Sequence, residues 1–178
     1  GLLGPDVLGA HCIWLNDDDI AILKATGTAV NHNPECNMKI ADGAAPIAKM
    51  LAAGVVVSLG PDSCAVTDNM ALFEAARMAA FLQKVSTKDP AVTPAYQVLE
   101  MATLGGARAL AMGDERGSVE AGKKADLILV DLSGYHLRPI NNLVNNLVYC
   151  ASAARDVHTV IVDGRIVVED RKLLTLDA

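Results

Sequence analysis

Gly54-Val-Val-Val-Ser-Leu-Gly-Pro-Asp62 is an apolar strand that ends in a carboxylate. Near-continuous apolar runs of this length belong to parallel strands covered on both faces. In parallel α/β architectures the carboxyl ends of the strands form the ligand-binding face, so an acid there reads as catalytic or metal-binding before it reads as structural. Val7-Leu-Gly-Ala-His11 and Thr28-Ala-Val-Asn-His32 repeat the pattern with a histidine in place of the aspartate. Three successive strands thus aim acid–base or metal-type groups at one rim.

Outward from that run, strand and helix alternate. Strands are expected near 7–12, 28–32 and 54–60, and helices near 17–26, 44–53 and 69–85, which makes three βα units. Asn16 before Asp17-Asp-Asp19 supplies a cap and favourable charge at a helix start. Gly27 and Gly54 stand where helices close. Thr93-Pro-Ala predicts a cap with proline in the first turn of a helix running to about 100–102. The small residues of Gly105-Gly-Ala-Arg allow close backbone approach in the next one. After Gly117 the period changes to that of strands: Ala125-Asp-Leu-Ile-Leu-Val-Asp-Leu, then two β-branched runs flanking Asp163-Gly164, a type I′ hairpin signal. We expect a boundary near residue 116, with βα units over 1–116 and a β segment over 117–178.

Composition excludes several classes. The 178 residues are 52% hydrophobic but only 3% aromatic, which disfavours a stacking platform for nucleic acid. A formal charge of −6 argues against a phosphate backbone or an anionic membrane as partner. No apolar run reaches membrane-spanning length. The four cysteines, Cys12, Cys36, Cys64 and Cys150, show no zinc-finger spacing and suit a reducing, cytoplasmic compartment as small apolar fillers.

Each candidate has a plain structural reading. His11 can be a histidine packed at a strand end, yet an imidazole at that tip can also polarise substrate or water. His32 opens Asn33-Pro-Glu-Cys-Asn37, a composition that makes turns for local reasons or lines a pocket. Asp62 can cap a helix, but Asp68 lies nearer the next helix start. His136 and His158 are expected to be structural, and Lys123-Lys124 and Arg171-Lys172 to be solvated turn residues. A Cys–His nucleophile built on Cys36 or Cys64 lacks an orienting third group.

Five blocks, in order, resemble the metal-dependent amidohydrolase superfamily, in the branch of S-adenosylhomocysteine and methylthioadenosine deaminases and triazine hydrolases. They are Gly9-Ala-His-Cys12, His32-Asn-Pro-Glu-Cys-Asn-Met-Lys39 with Asp42-Gly-Ala-Ala-Pro46, Leu59-Gly-Pro-Asp62, Met101-Ala-Thr-Leu-Gly-Gly-Ala-Arg-Ala-Leu110 and Gly117-Ser-Val-Glu-Ala-Gly-Lys-Lys-Ala-Asp-Leu127. The resemblance implies an α/β fold: the last three βα units of a (β/α)8 barrel plus C-terminal strands of a flanking β-sandwich. It makes Asp62 a metal ligand and the base that deprotonates the attacking water. It makes His11 a catalytic group that hydrogen-bonds the attacking hydroxide or the substrate's reacting end, and places His32, Asn37 and Trp14 against substrate. Pro61 before the aspartate, Ser63-Cys-Ala-Val-Thr67 after it, and Trp14 depart from the branch's usual residues.

The implied function is metal-dependent hydrolysis of a ring substituent, deamination first, on a small nitrogen heterocycle. One divalent metal is implied, zinc ahead of iron, and no nucleic-acid or membrane partner; a homo-oligomer is admitted. The family's His-x-His and its fifth-strand histidine have no counterpart here, so the chain is expected to be the C-terminal portion of the enzyme, active only with an N-terminal half and unstable without it. The alternative is a catalytically silent relative serving as an assembly or binding subunit.

Overall fold

The three apolar segments form a parallel sheet with the second segment in the middle. In a computed structural model, which describes residues 1–176, the strands are β1 (Leu8–Ala10), β2 (Ala29–His32) and β3 (Val57–Leu59), in the order β1-β2-β3. Val30 at the centre is fully buried, and all of β3 is buried, including Ser58, as a near-continuous apolar run requires. The helix α1 (Asp17–Thr26) joins β1 to β2. Asn16 caps it in a complete capping box with Asp19, and Gly27 closes it in the left-handed conformation.

Between β2 and β3 lie two helices, α2 (Pro34–Lys39) and α3 (Ile47–Ala52). The second is shorter than the expected 44–53 and has no side-chain cap of its own. Gln83, buried on a later helix, serves it instead: its Oε1 accepts from the Ala48 amide at 3.2 Å and its Nε2 donates to the Ala45 carbonyl at 2.9 Å. Gly54 follows the C-cap Ala53 at φ 77 and turns the chain toward β3.

After β3 come α4 (Cys64–Thr67) and α5 (Leu72–Thr87). Asp68 does not cap α5; it ends α4 at φ 63 and pairs with Lys39, while Asn69 Oδ1 accepts from the Ala71 amide. Ala75, Ala76, Ala79 and Ala80 form the buried face of α5, small enough for neighbouring elements to come close. The helices α6 (Ala95–Ala102) and α7 (Leu104–Ala109) complete this layer, with α7 packed on β3. Thr93 does not cap α6. It stands outside the helix at φ 47 with its buried hydroxyl unpartnered, and Pro94 takes the N-cap position.

A second, antiparallel sheet follows, of β4 (Leu127–Val130), β5 (Val157–Val162), β6 (Arg165–Glu169) and β7 (Lys172–Leu173) in that order. Asp163 and Gly164 link β5 and β6 at φ 49 and 76, the signs a type I′ turn requires. The link from β4 to β5 carries a 3-10 turn and two short helices, α8 (Leu143–Tyr149) and α9 (Ala153–Asp156), none expected from the sequence. Asn142 caps α8 through Asn145, and Asn146 donates to the Leu137 carbonyl at 2.7 Å. His136 Nε2 lies 2.9 Å from the carboxylate of the buried Asp156, and His158 lies 2.8 Å from that of Asp170. Two residues expected to be solvated turn residues have partners in the fold. Lys123 Nζ donates to the Gly113 carbonyl and to Ser118, and the Arg171 guanidinium reaches Asp131 and the Arg155 carbonyl.

Among the described residues no helix is long and apolar enough to cross a membrane. Gly105 explains the closeness of α7 to the sheet: a Cβ there would stand 2.7 Å from the Val57 carbonyl oxygen and 2.9 Å from that of Glu100. Both are backbone atoms and cannot rotate away. Gly105→Ala is therefore expected to lower unfolding free energy by about 1–3 kcal/mol. At Gly106 the nearest atom would be 3.7 Å away, an ordinary contact, so Gly106→Ala is expected to be neutral or stabilising in the same urea titration.

Candidate active site

The two ladders of β2 continue one bond past the strands and draw their ends together. The His11 amide donates to the Asn31 carbonyl and the Gly60 amide to the His32 carbonyl, each at 2.9 Å. Beneath the rim, Ser58 Oγ shares its one hydrogen between the Val30 carbonyl and Asn31 Oδ1, and Asn31 Nδ2 donates to Asn33 Oδ1. This polar lattice leaves no space for a side chain at Gly60, where a Cβ would stand 2.7 Å from Asn31 Nδ2 and Asn33 Oδ1.

On that base the chain brings His11 and Asp62 together. His11 Nε2 lies 3.6 Å from Asp62 Oδ2, and both side chains are partly exposed. Both residues adopt positive φ, 65° and 70°. For a non-glycine residue this is an uncommon conformation, and such strain concentrates where a site requires it. The Asp62 carboxylate also accepts from the Ser63 amide at 2.7 Å through Oδ1.

The segment Asn33–Asn37, expected as a turn or as a pocket lining, supplies two further members of the cluster through α2. Cys36 is buried, and its Sγ, His11 nitrogen and Asp62 oxygen all lie within 4.8 Å of one another. Asn37 is fully buried, with Oδ1 2.8 Å from His11 Nδ1 and Nδ2 unpartnered. Sequence reading missed Cys36 because its thiol reads as small apolar filler; its place between Glu35 and Asn37, just after His32, was the available signal.

His32 and Trp14 stand differently. His32 ends β2 fully buried, with neither ring nitrogen hydrogen-bonded. Trp14 follows β1 at 81% exposure, next to Gly43, so it presents an open aromatic face rather than a packed one.

Proton states differ sharply across these few residues. The Cys36 thiol and the Ser63 amide hold the Asp62 carboxyl below its usual range. Burial, then the hydrogen bond and charge of Asp62, push the Cys36 thiol up to about 11. Near neutrality the pair is a carboxylate facing a protonated thiol, and Cys36 is a poor nucleophile. Burial, followed by the charge of His11, lowers His32 to about 4, so that imidazole is neutral.

His32 generates a stability prediction. Its ordinary value is 6.5 and its folded value about 4. Between the two the unfolded chain binds a proton that the folded chain refuses, so stability falls as pH drops through that window. Urea unfolding across it should show the wild-type chain losing on the order of 3 kcal/mol more than His32→Gln. Equal slopes would mean that His32 takes up its proton in the folded state.

Comparison with known proteins places this arrangement. Residues 1–167 match the Amidohydrolase family. The chain is 51% identical over 177 residues to the 5'-deoxyadenosine deaminase of Methanosarcina mazei, covering 99% of this chain and 40% of that protein. It is 51% identical over 178 residues to the 5-methylthioadenosine/S-adenosylhomocysteine deaminase of Moorella thermoacetica, covering 100% of this chain and 41% of that one. The crystal structure of an adenosine deaminase from Xanthomonas campestris with bound zinc superposes with a TM-score of 0.97 at 36% identity, over 99% of this chain and 40% of that one. The chain thus spans about two fifths of the length of these relatives. It belongs to the amidohydrolase family.

Proposed function

We propose that this chain carries part of the active site of a metal-dependent hydrolase that deaminates an adenine nucleoside with a modified 5' position. The observation that carries the reading is the meeting of His11 Nε2 and Asp62 Oδ2, 3.6 Å apart, at the carboxyl rim of a parallel sheet. The substrate class follows relatives named for 5'-deoxyadenosine, methylthioadenosine and S-adenosylhomocysteine. The parallel sheet with its helices, over 1–116, is read as the last three βα units of a (β/α)8 barrel. The antiparallel sheet, within 117–178, is read as the C-terminal part of a flanking β-sandwich. The free cysteines suit the cytoplasm.

The donor set fits a divalent ion. Of the three groups that lie within 4.8 Å of one another, the ionised Asp62 carboxylate is the donor that would hold zinc; Cys36 keeps its hydrogen and His11 is left for proton transfer. When bound, such an ion makes a water molecule acidic enough to ionise near neutrality. Asp62, kept ionised by Cys36 and Ser63, accepts the proton of the attacking water. His11, beside it, hydrogen-bonds the attacking water as it approaches the ring carbon and helps move a proton toward the departing ammonia. Trp14, exposed near the rim, offers a flat apolar face to the purine. His32 and Asn37, both fully buried, would support these groups from behind.

The test uses the protein in the form its cell makes. Purified, it should hold one divalent ion per chain and release ammonia from 5'-deoxyadenosine or methylthioadenosine. Asp62→Ala should lose the ion, and His11→Gln should keep it while lowering kcat by about 10²–10⁴-fold. A metal-free protein that releases no ammonia would instead be the silent assembly subunit.

A further inference from the structure

Asn37 sits where it can decide which nitrogen of His11 carries the hydrogen. Its Oδ1 stands 2.8 Å from His11 Nδ1, and a carboxamide oxygen has no hydrogen to give. The contact is a hydrogen bond only if Nδ1 donates. In a neutral imidazole that leaves Nε2 with the bare lone pair, and Nε2 is the nitrogen facing Asp62 Oδ2 at 3.6 Å.

We infer that Asn37 is a positioning residue that holds His11 in the Nδ1–H tautomer, so that the gap between His11 and Asp62 stays open to a proton-bearing atom of water or substrate. The inference rests on the reading of His11 and Asp62 as the reacting pair. Two acceptors that converge without a hydrogen between them repel each other until a donor or a cation enters. That is the property a site needs if it is to take in a water and remove its proton. In the opposite tautomer Nε2–H would donate into the Asp62 carboxylate. A modest closure from 3.6 Å would complete that bond and engage the oxygen on which the reaction depends.

Asn37 is built for rigidity. It is fully buried, its amide donates to the Asn33 carbonyl in the first turn of α2, and its carbonyl accepts from the Asp42 amide at 2.9 Å. His11 is held from the other side by its amide on the Asn31 carbonyl. The imidazole is thus fixed at its backbone by β2 and at Nδ1 by α2, with Nε2 as its free end. Cys36, the preceding residue, lies within 4.8 Å of Asp62, so one short helix faces both members of the pair. His32, buried with both ring nitrogens unpartnered, carries no charge near neutrality to compete for the His11 ring.

The experiment is nitrogen NMR of the protein carrying ¹⁵N-labelled histidine, with the His11 signals among the four histidines identified by their loss in His11→Gln. The wild type should show a protonated Nδ1 and a bare Nε2. Asn37→Leu should shift the hydrogen toward Nε2 and lower kcat by about 10–100-fold with little change in KM. Asn37→Asp, which keeps an acceptor at the same place, should restore the Nδ1–H signal and much of kcat. A wild-type hydrogen on Nε2 would overturn the inference even if Asn37→Leu failed to fold. So would an Asn37→Leu protein with wild-type tautomer and kcat. Neither result would touch the metal-hydrolase reading, which stands or falls on bound metal and released ammonia.

Discussion

Everything at the rim depends on β2 pairing on both sides at once. It is the middle strand of three, and its carbonyls at Asn31 and His32 accept the amides that follow β1 and β3. Those two bonds bring His11 and Asp62, 51 residues apart in sequence as 62 minus 11, to 3.6 Å. They also hold both residues in a left-handed backbone that costs about 1–2 kcal/mol for each non-glycine residue. Such conformations persist where the surroundings over-determine them. The ladder, the Ser58–Asn31–Asn33 lattice and the close fit at Gly60 supply that determination.

Burial then assigns the protons. Cys36 and Asp62 lie beside one another and His32 ends the middle strand, and solvent exposure alone would leave their states to pH. Cys36 sinks into the core and keeps its hydrogen, which it offers to Asp62; Asp62 keeps its charge because that offer and the Ser63 amide stabilise the carboxylate. His32 is buried without partners and stays neutral. The result is an anionic acceptor at the exposed edge with uncharged groups behind it, the arrangement required for proton removal from a neutral nucleophile.

The strands and long helices were legible because their periodicity, caps and punctuation agree: α1 carries its own cap and stop signals, and the Asp163-Gly164 turn needs nothing beyond its two residues. What escaped were elements held by partners distant in sequence. Asn33-Pro-Glu-Cys-Asn37 reads locally as a turn, and becomes a helix whose Cys36 and Asn37 are buried against other segments. The α8 segment is rich in asparagine, a weak helix former, and is held by its Asn142 cap, the buried Val148 and the Asn146–Leu137 bond. Thr93 misled for the opposite reason, since its sequence suits a cap while its backbone turns left-handed instead. At the rim, residue types and strand ends pointed to His11 and Asp62, whereas the roles of Cys36 and Asn37 arise only from α2.

A cavity of about 530 Å³ lies elsewhere, between α5, α6 and the antiparallel sheet, and a large apolar pocket is often the first candidate for a binding site. Its walls argue otherwise. Met70, Leu72, Phe73, Ile128, Val160 and Val168 line it, and Arg171 is the one ionisable side chain among the lining residues. That guanidinium is already engaged by Asp131 and the Arg155 carbonyl. Nothing there can accept a proton or bind a divalent ion at neutral pH. Size measures how much a site can enclose, while reaction requires groups able to exchange protons or ligands, and among the described residues such groups converge at His11, Cys36 and Asp62.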